Sequence, residues 1–269
     1  MEKKAFTKGS GSTFEDIEEN EDILKDIDPK IRPLIKLCMS KNLRTFASCE
    51  GHPEKDPDGL GYIAFETIDD PRAINMAAWF IKRFGKESID IAFANSLKGI
   101  GMKKVSQCQL SLGWRSSLKE IVIPEMFQII ENGYIDRKPE QPLPHWFELM
   151  KKISMESSAR NISTQLSKNI NFGEMWGAFN FSCDENDKDV LRRIVEIGEE
   201  FKRSGIASFE RPNGPKAPEQ VLEPWGYGAL GVSIILDKVP DKKVCKSLER
   251  TQKILSNEKN KGKVTNFER

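Results

Sequence analysis

Apolar residues first recur at helical spacing at Ile31, Leu34, Ile35 and Cys38, which share one face of a helix. Asp28 is placed to cap it, Pro29 suits a first helical position, and Asn42 ends it. Leu43 to Ala47 reads as a strand, Ser48 to Leu60 as a polar loop, and Tyr62 to Phe65 as the returning strand. Asp70-Pro71 opens a helix striped by Ile74, Ala77, Ala78, Ile81 and Phe84 and closed by Gly85. Ser88 to Ala94 is the next strand. From Val105 to Leu112 polar and mildly apolar residues alternate, as in a half-exposed antiparallel strand that could serve as a pairing edge. Ile121 to Ile123 precedes a short helix opened by Pro124.

The segment from Asn132 to Pro144 holds three prolines and marks a subdomain boundary. Beyond it Trp146, Leu149, Met150 and Ile153 define a helix, and Ser154 to Asn169 is polar without a clear period. Met175 to Cys183 is a strand. Val190, Ile194, Ile197 and Phe201 stripe a helix, with Asp184, Glu185 and Asp187 at its positive end. Ile206 to Glu210 and Ala229 to Leu236 are strands, and Pro240 opens a last helix carrying Val244, Leu248, Thr251 and Leu255. The expected fold is α+β, with two subdomains (23–138 and 139–258), each a small, mainly antiparallel sheet packed by helices. An acidic tail (1–22) and a Lys/Asn-rich tail (259–269) are expected to be disordered. Both halves alternate helices, strands and long loops, and Leu43–Phe65 and Ile206–Leu236 occupy matching places in that order.

Composition narrows the function. Forty-two basic residues face forty-one acidic ones over 269 residues, so no global field draws the chain to phosphate backbones. A nucleic-acid contact would need local pairs such as Lys82-Arg83, Lys103-Lys104 and Arg192-Arg193 to converge. The five cysteines are odd in number and widely spaced, which points to reduced thiols in a cytosol-like compartment. No apolar stretch follows Met1 and none reaches membrane-span length, so a cytoplasmic protein without a membrane partner is expected.

Two segments stand out as contact surfaces. The first is the turn Ser48-Cys49-Glu50-Gly51-His52, which gathers a hydroxyl, a thiol, a carboxylate and an imidazole at the end of a strand. Cys49 could act as a nucleophile with His52 as base, or the two could join Cys108 or Cys183 on a metal. With only two histidines in the chain and no second local ligand pair, neither is assigned, and Ser48, Cys49, Glu50 and His52 are taken as binding residues. No catalytic residue, cofactor or metal is called for. The second segment is the Pro/Gly-rich loop from Arg211 to Gly228, where Arg211, Asn213, Trp225 and Tyr227 are the candidate contacts. Its prolines reduce the cost of ordering, and aromatic side chains make efficient anchors.

The helix, strand and Ser48-Cys49-x-Gly51 turn over residues 31–65 resemble the tRNA wybutosine-synthesising methyltransferase that acts third in its pathway, whose turn runs Ser-Ser-Cys-Ser-Gly-Arg. Ser48, Cys49 and Gly51 match; Ala47, Glu50 and His52 depart, and with the arginine gone a phosphate contact does not carry over. The turn is also similar to that of uncharacterised bacterial and phage proteins with Ser-Cys-Glu-Gly-His. The expectation is a non-enzymatic protein-binding protein, in its most specific form a phage or mobile-element inhibitor or adaptor acting on a host protein complex. The alternatives are an RNA- or nucleotide-modifying enzyme built on the turn, and a self-assembling homo-oligomer.

Overall fold

A computed structural model describes residues 24–256 apart from 55–58, 88, 96, 99–103, 106–107, 140, 171–176, 213–228 and 237–238. Both tails lie outside the described residues. The chain order is α1 (Arg32–Ser40), β1 (Thr45–Cys49), β2 (Leu60–Phe65), α2 (Pro71–Phe84), β3 (Ile89–Ala94), a small ribbon of β4 (Leu97–Lys98) and β5 (Lys104–Val105), then β6 (Gln109–Arg115) and α3 (Lys119–Glu131). It continues with α4 (His145–Ser158), β7 (Ser163–Ile170), β8 (Ala178–Asp184), α5 (Lys188–Arg203), β9 (Ala207–Pro212), β10 (Ala229–Ile235) and α6 (Asp241–Ser256). The class is α+β. None of the described helices is long and apolar enough to cross a membrane.

Each half contributes a four-stranded antiparallel sheet, and pairing of β3 with β7 joins them edge to edge. The result is one eight-stranded sheet in the order β1-β2-β6-β3-β7-β8-β10-β9. Apart from the ribbon, the order within each half is first, second, fourth, third. The helices that flank each four-strand unit also pack on one another, α1 on α3 and α4 on α6. The structural match between the halves is therefore β1–β2 with β7–β8. The correspondence of Leu43–Phe65 with Ile206–Leu236 is corrected: the first is the opening pair of its unit and the second the closing pair of the other.

Side-chain alternation explains the layering. Register places Ile63, Phe65, Leu110, Leu112, Trp114, Ile89, Ile91, Phe93, Leu166, Phe179, Phe181, Val232 and Ile234 on one face. All are buried in a single cluster with the apolar stripes of the helices. The opposite face carries small and polar residues, as an antiparallel sheet with one packed face should. Asp187 caps α5 by accepting from the Val190 amide at 3.1 Å. Glu200 braces α5 to α6 by accepting from Arg250 at 2.6 Å.

Four local readings change. Helix α1 begins at Arg32, with Pro33 in its first turn and no side-chain cap, which leaves the Asp28 carboxylate free for other partners. Helix α3 runs through Ile121–Ile123 and contains Pro124, because Val122, Ile123, Met126, Ile129 and Ile130 all bury at helical spacing. The polar stretch 163–170 is an interior strand: Ser163, Gln165, Ser167 and Asn169 face the open side of the sheet, while Leu166 packs in the core with Thr164, Lys168 and Ile170 on its side. The half-polar strand extends to Arg115 and is paired on both sides, by β2 and β3. It offers no free edge, because its polarity marks the open face.

Candidate functional site

The strand reaches further into the motif than expected: β1 includes Ser48 and Cys49, paired with Ile63 and Tyr62 of β2. Among the described residues it has a partner on one side only, which makes β1 an edge of the described sheet. A bulge between Thr45 and Ala47 turns Phe46 outward, where it is 57% exposed. The turn then closes tightly. Gly51 has a φ of +87° and no room for a Cβ, which would meet Ser116 Cα at 2.9 Å. Only glycine fits that conformation at that distance.

Asp28 completes the site, and it comes from the segment before α1. Its Oδ2 accepts from the Glu50 amide at 3.1 Å, and its Oδ1 lies 3.2 Å from His52 Nε2. The other ring nitrogen, Nδ1, is 3.2 Å from Glu54 Oε1. The Cys49 sulfur accepts from the Gly51 amide at 3.4 Å and lies within 4.8 Å of an Asp28 carboxylate oxygen and a His52 ring nitrogen. Glu50, expected as a contact residue, is buried and bonded internally. Its Oε2 takes the Lys30 amide at 2.8 Å, and its Oε1 lies 3.4 Å from Lys119 Nζ. Lys119 also donates to the Gly51 carbonyl at 2.9 Å. Two backbone segments are thus laced together by Asp28 and Glu50, each carboxylate taking an amide of the other's segment.

Electrostatics follow from that lacing. Burial pushes the Cys49 thiol up, and the Asp28 and Glu50 carboxylates add to the effect. Burial works to raise Asp28 too, but the Glu50 amide, the Cys49 thiol and the His52 ring outweigh it and hold the carboxyl below its usual value. Cys49 begins a row on the open face of the sheet. It pairs with Tyr62, Tyr62 with Gly113, Gly113 with Asp90, and Asp90 with Asn169. Asp90 is buried and accepts from Ser167 Oγ at 2.7 Å.

Of the sequence-predicted contacts, Ser48, Cys49 and His52 sit together at the edge. Arg211 pairs with Gly231 in β9–β10, its side chain outside the described residues. Asn213, Trp225 and Tyr227 also lie outside them. Cys108 and Cys183 are buried in the core and do not join Cys49. Two of the basic pairs are engaged locally: Arg83 with Glu125 and Arg192 with Asp189, while Arg193 donates to the Leu255 carbonyl at 3.0 Å; Lys103 and the Lys104 side chain lie outside the described residues. Asp28, Tyr62, Asp90 and Lys119 were not picked out as site residues from sequence. For Asp28 the one available signal was its position in the helix approach, where it reads as a cap. No family model, no curated protein and no solved structure matches the chain.

Proposed function

We propose that this is a non-enzymatic binding protein that presents the β1 edge and the Cys49–His52 turn to a protein partner. The observation that supports the reading is the state of the turn's reactive groups. Each is spent on holding the turn rigid: both nitrogens of the imidazole face carboxylates, the thiol is kept protonated, and Glu50 is buried. A fixed, preorganised turn beside an outward phenylalanine, on an edge unpaired among the described residues, suits recognition, because little freedom is lost on binding. The most specific form is an inhibitor or adaptor from a phage or mobile element that acts on a host protein complex in the host cytosol. That form rests on the Ser-Cys-Glu-Gly-His resemblance.

Affinity capture on the full chain tests it. A stoichiometric protein should be retained by the wild type and lost at least tenfold by Phe46→Asp and by His52→Ala. Thermal stability of Phe46→Asp should stay within about 0.5 kcal/mol, as for a surface change. Trp225→Ala and Tyr227→Ala probe the second segment in the same assay. Retention by all four variants would overturn the reading, as would a large self-assembled species formed without a partner.

The convergence of thiol, imidazole and carboxylate favours an enzymatic rival that modifies RNA or a nucleotide. In that case Cys49→Ser would abolish turnover with little change in melting temperature.

A further inference from the structure

Three donors of different chemistry, from three backbone positions, meet at the turn. A carboxylate oxygen of Asp28, the Cys49 sulfur and a ring nitrogen of His52 all lie within 4.8 Å of one another. We propose that Asp28, Cys49 and His52 bind a divalent ion of the zinc class, with a fourth position open to solvent or to a partner's donor. Mixed sulfur, nitrogen and oxygen donors suit zinc, and three protein ligands leave one site of a tetrahedron open. A tetrahedral ion with bonds of about 2.0–2.3 Å holds its donors roughly 3.3–3.8 Å apart, so the widest pair closes by at most about 1.5 Å. The Asp28–His52 pair, at 3.2 Å, already stands at that spacing.

The surrounding bonds make the case stronger than the triplet alone. Each donor is held by an outer partner on the atom, or from the side, that a metal would not use. Glu54 fixes His52 through Nδ1 and aims Nε2 inward, the carboxylate–histidine arrangement common at metal sites. The Glu50 amide holds Asp28 by Oδ2 and leaves Oδ1 facing the ring. The Gly51 amide donates to the Cys49 sulfur, a bond that would stabilise a thiolate ligand. Among the described residues, the carboxylates of Glu50 and Glu54 lie beside the donors, faced by the ammonium groups of Lys119 and Lys30. All three ligand residues are partly exposed, which gives an ion a way in. On binding, the thiol gives its proton to solvent and its sulfur lone pair to the ion, and the imidazole binds as the neutral base.

The inference is independent of the binding-protein reading: partner capture can fail while the ion is held, and the reverse. The test uses the full-length chain stripped with chelator and titrated with Zn²⁺ and, separately, Co²⁺. One equivalent should bind. The cobalt form should show thiolate-to-metal charge transfer and the visible bands of a four-coordinate ion. Cys49→Ser should remove the charge-transfer absorption, while Cys245→Ser keeps it. Glu54→Gln should weaken zinc binding about 10- to 100-fold, as loss of an outer-shell partner does. A second measurement needs no variant. Zn²⁺ should protect Cys49, but not Cys245, from alkylation mapped by peptide mass. Failure to retain an equivalent of zinc would overturn the proposal, as would unprotected Cys49 or charge transfer that survives Cys49→Ser.

Discussion

Glu50→Ala is expected to cost about 3 kcal/mol of stability, the lower end of what removing one partner of a buried ion pair costs. Although it sits in the middle of a polar motif at a strand end, Glu50 is only 7% exposed. Its side chain and that of Lys119 are 9% and 12% exposed, so neither charge is well solvated. Removing the carboxylate takes the nearest anion from the Lys119 ammonium at the start of α3, which keeps its bond to the Gly51 carbonyl. It also removes the acceptor of the partly buried Lys30 amide, a typical net loss of about 0.5–1.5 kcal/mol. The amide contribution separates the variants. Glu50→Gln keeps an acceptor for Lys30 and should lose about half as much. Urea unfolding of wild type, Glu50→Gln and Glu50→Ala should give that order. Equal stability of all three would show that the lacing of residues 28–30 to 49–51 holds nothing.

Asp90→Asn is expected to raise stability above pH 6 by about 2–3 kcal/mol, the size of the linkage term its pKa implies. Burial pushes the Asp90 carboxyl up to about 6, against a smaller opposing effect of the Ser167 hydroxyl. The folded state therefore prefers the protonated acid. Well below pH 4, near about pH 3, the carboxyl is protonated whether folded or unfolded, and the penalty vanishes. As pH rises from there, the unfolded chain ionises first, and stability is lost until the folded carboxyl has also ionised, above about 6. Asparagine keeps an acceptor for Ser167 and has no charge to desolvate. Asp28 and Glu200 slope the other way, because their carboxyls are held below the usual value. The difference between wild type and Asp90→Asn isolates the Asp90 term. Chemical unfolding at about pH 3 and about pH 7.5 should show the variant gaining only at the higher pH. An identical pH profile for both proteins would sink the assignment.

The placement of Asp90 also bears on the surface it occupies. It lies in the row that runs from Cys49 through Tyr62 and Gly113 to Asn169. Gly113 stands between two larger side chains, and a Cβ there would press Asp90 Cβ at 3.2 Å. An eight-stranded sheet whose second face is polar and built from serine, asparagine, glycine and alanine leaves that face to contacts other than an apolar core.

How much of this was legible in the sequence varies by element. Helices α2, α4, α5 and α6 declared themselves, because each buries one stripe and polar residues fill the rest. Strands β2, β3 and β10 did so by short apolar runs. Strand β7 did not. A strand with one buried leucine and six polar positions looks like a loop until its neighbours supply hydrogen bonds on both sides. Pro124 was equally misleading, since its missing amide matters less than the burial of the residues around it.

For the site, local sequence determined a strand leading to the motif, then a glycine able to take positive φ, then His52, while the extension of the strand through Cys49 came from pairing with β2. It also determined the α+β class, through the alternation of helical stripes and strand runs. Only tertiary structure decided which turn residues face inward and what joins them. Glu50 turned in to Lys119, 69 residues away in sequence, and Asp28 turned from the helix it precedes to a thiol and an imidazole some 20 residues on. It likewise decided that two four-stranded halves share one sheet. Hydrophobic periodicity reports which side of an element is buried, but hydrogen bonds between distant edges and charges carry no periodic signature. They exist only once the chain has closed on itself.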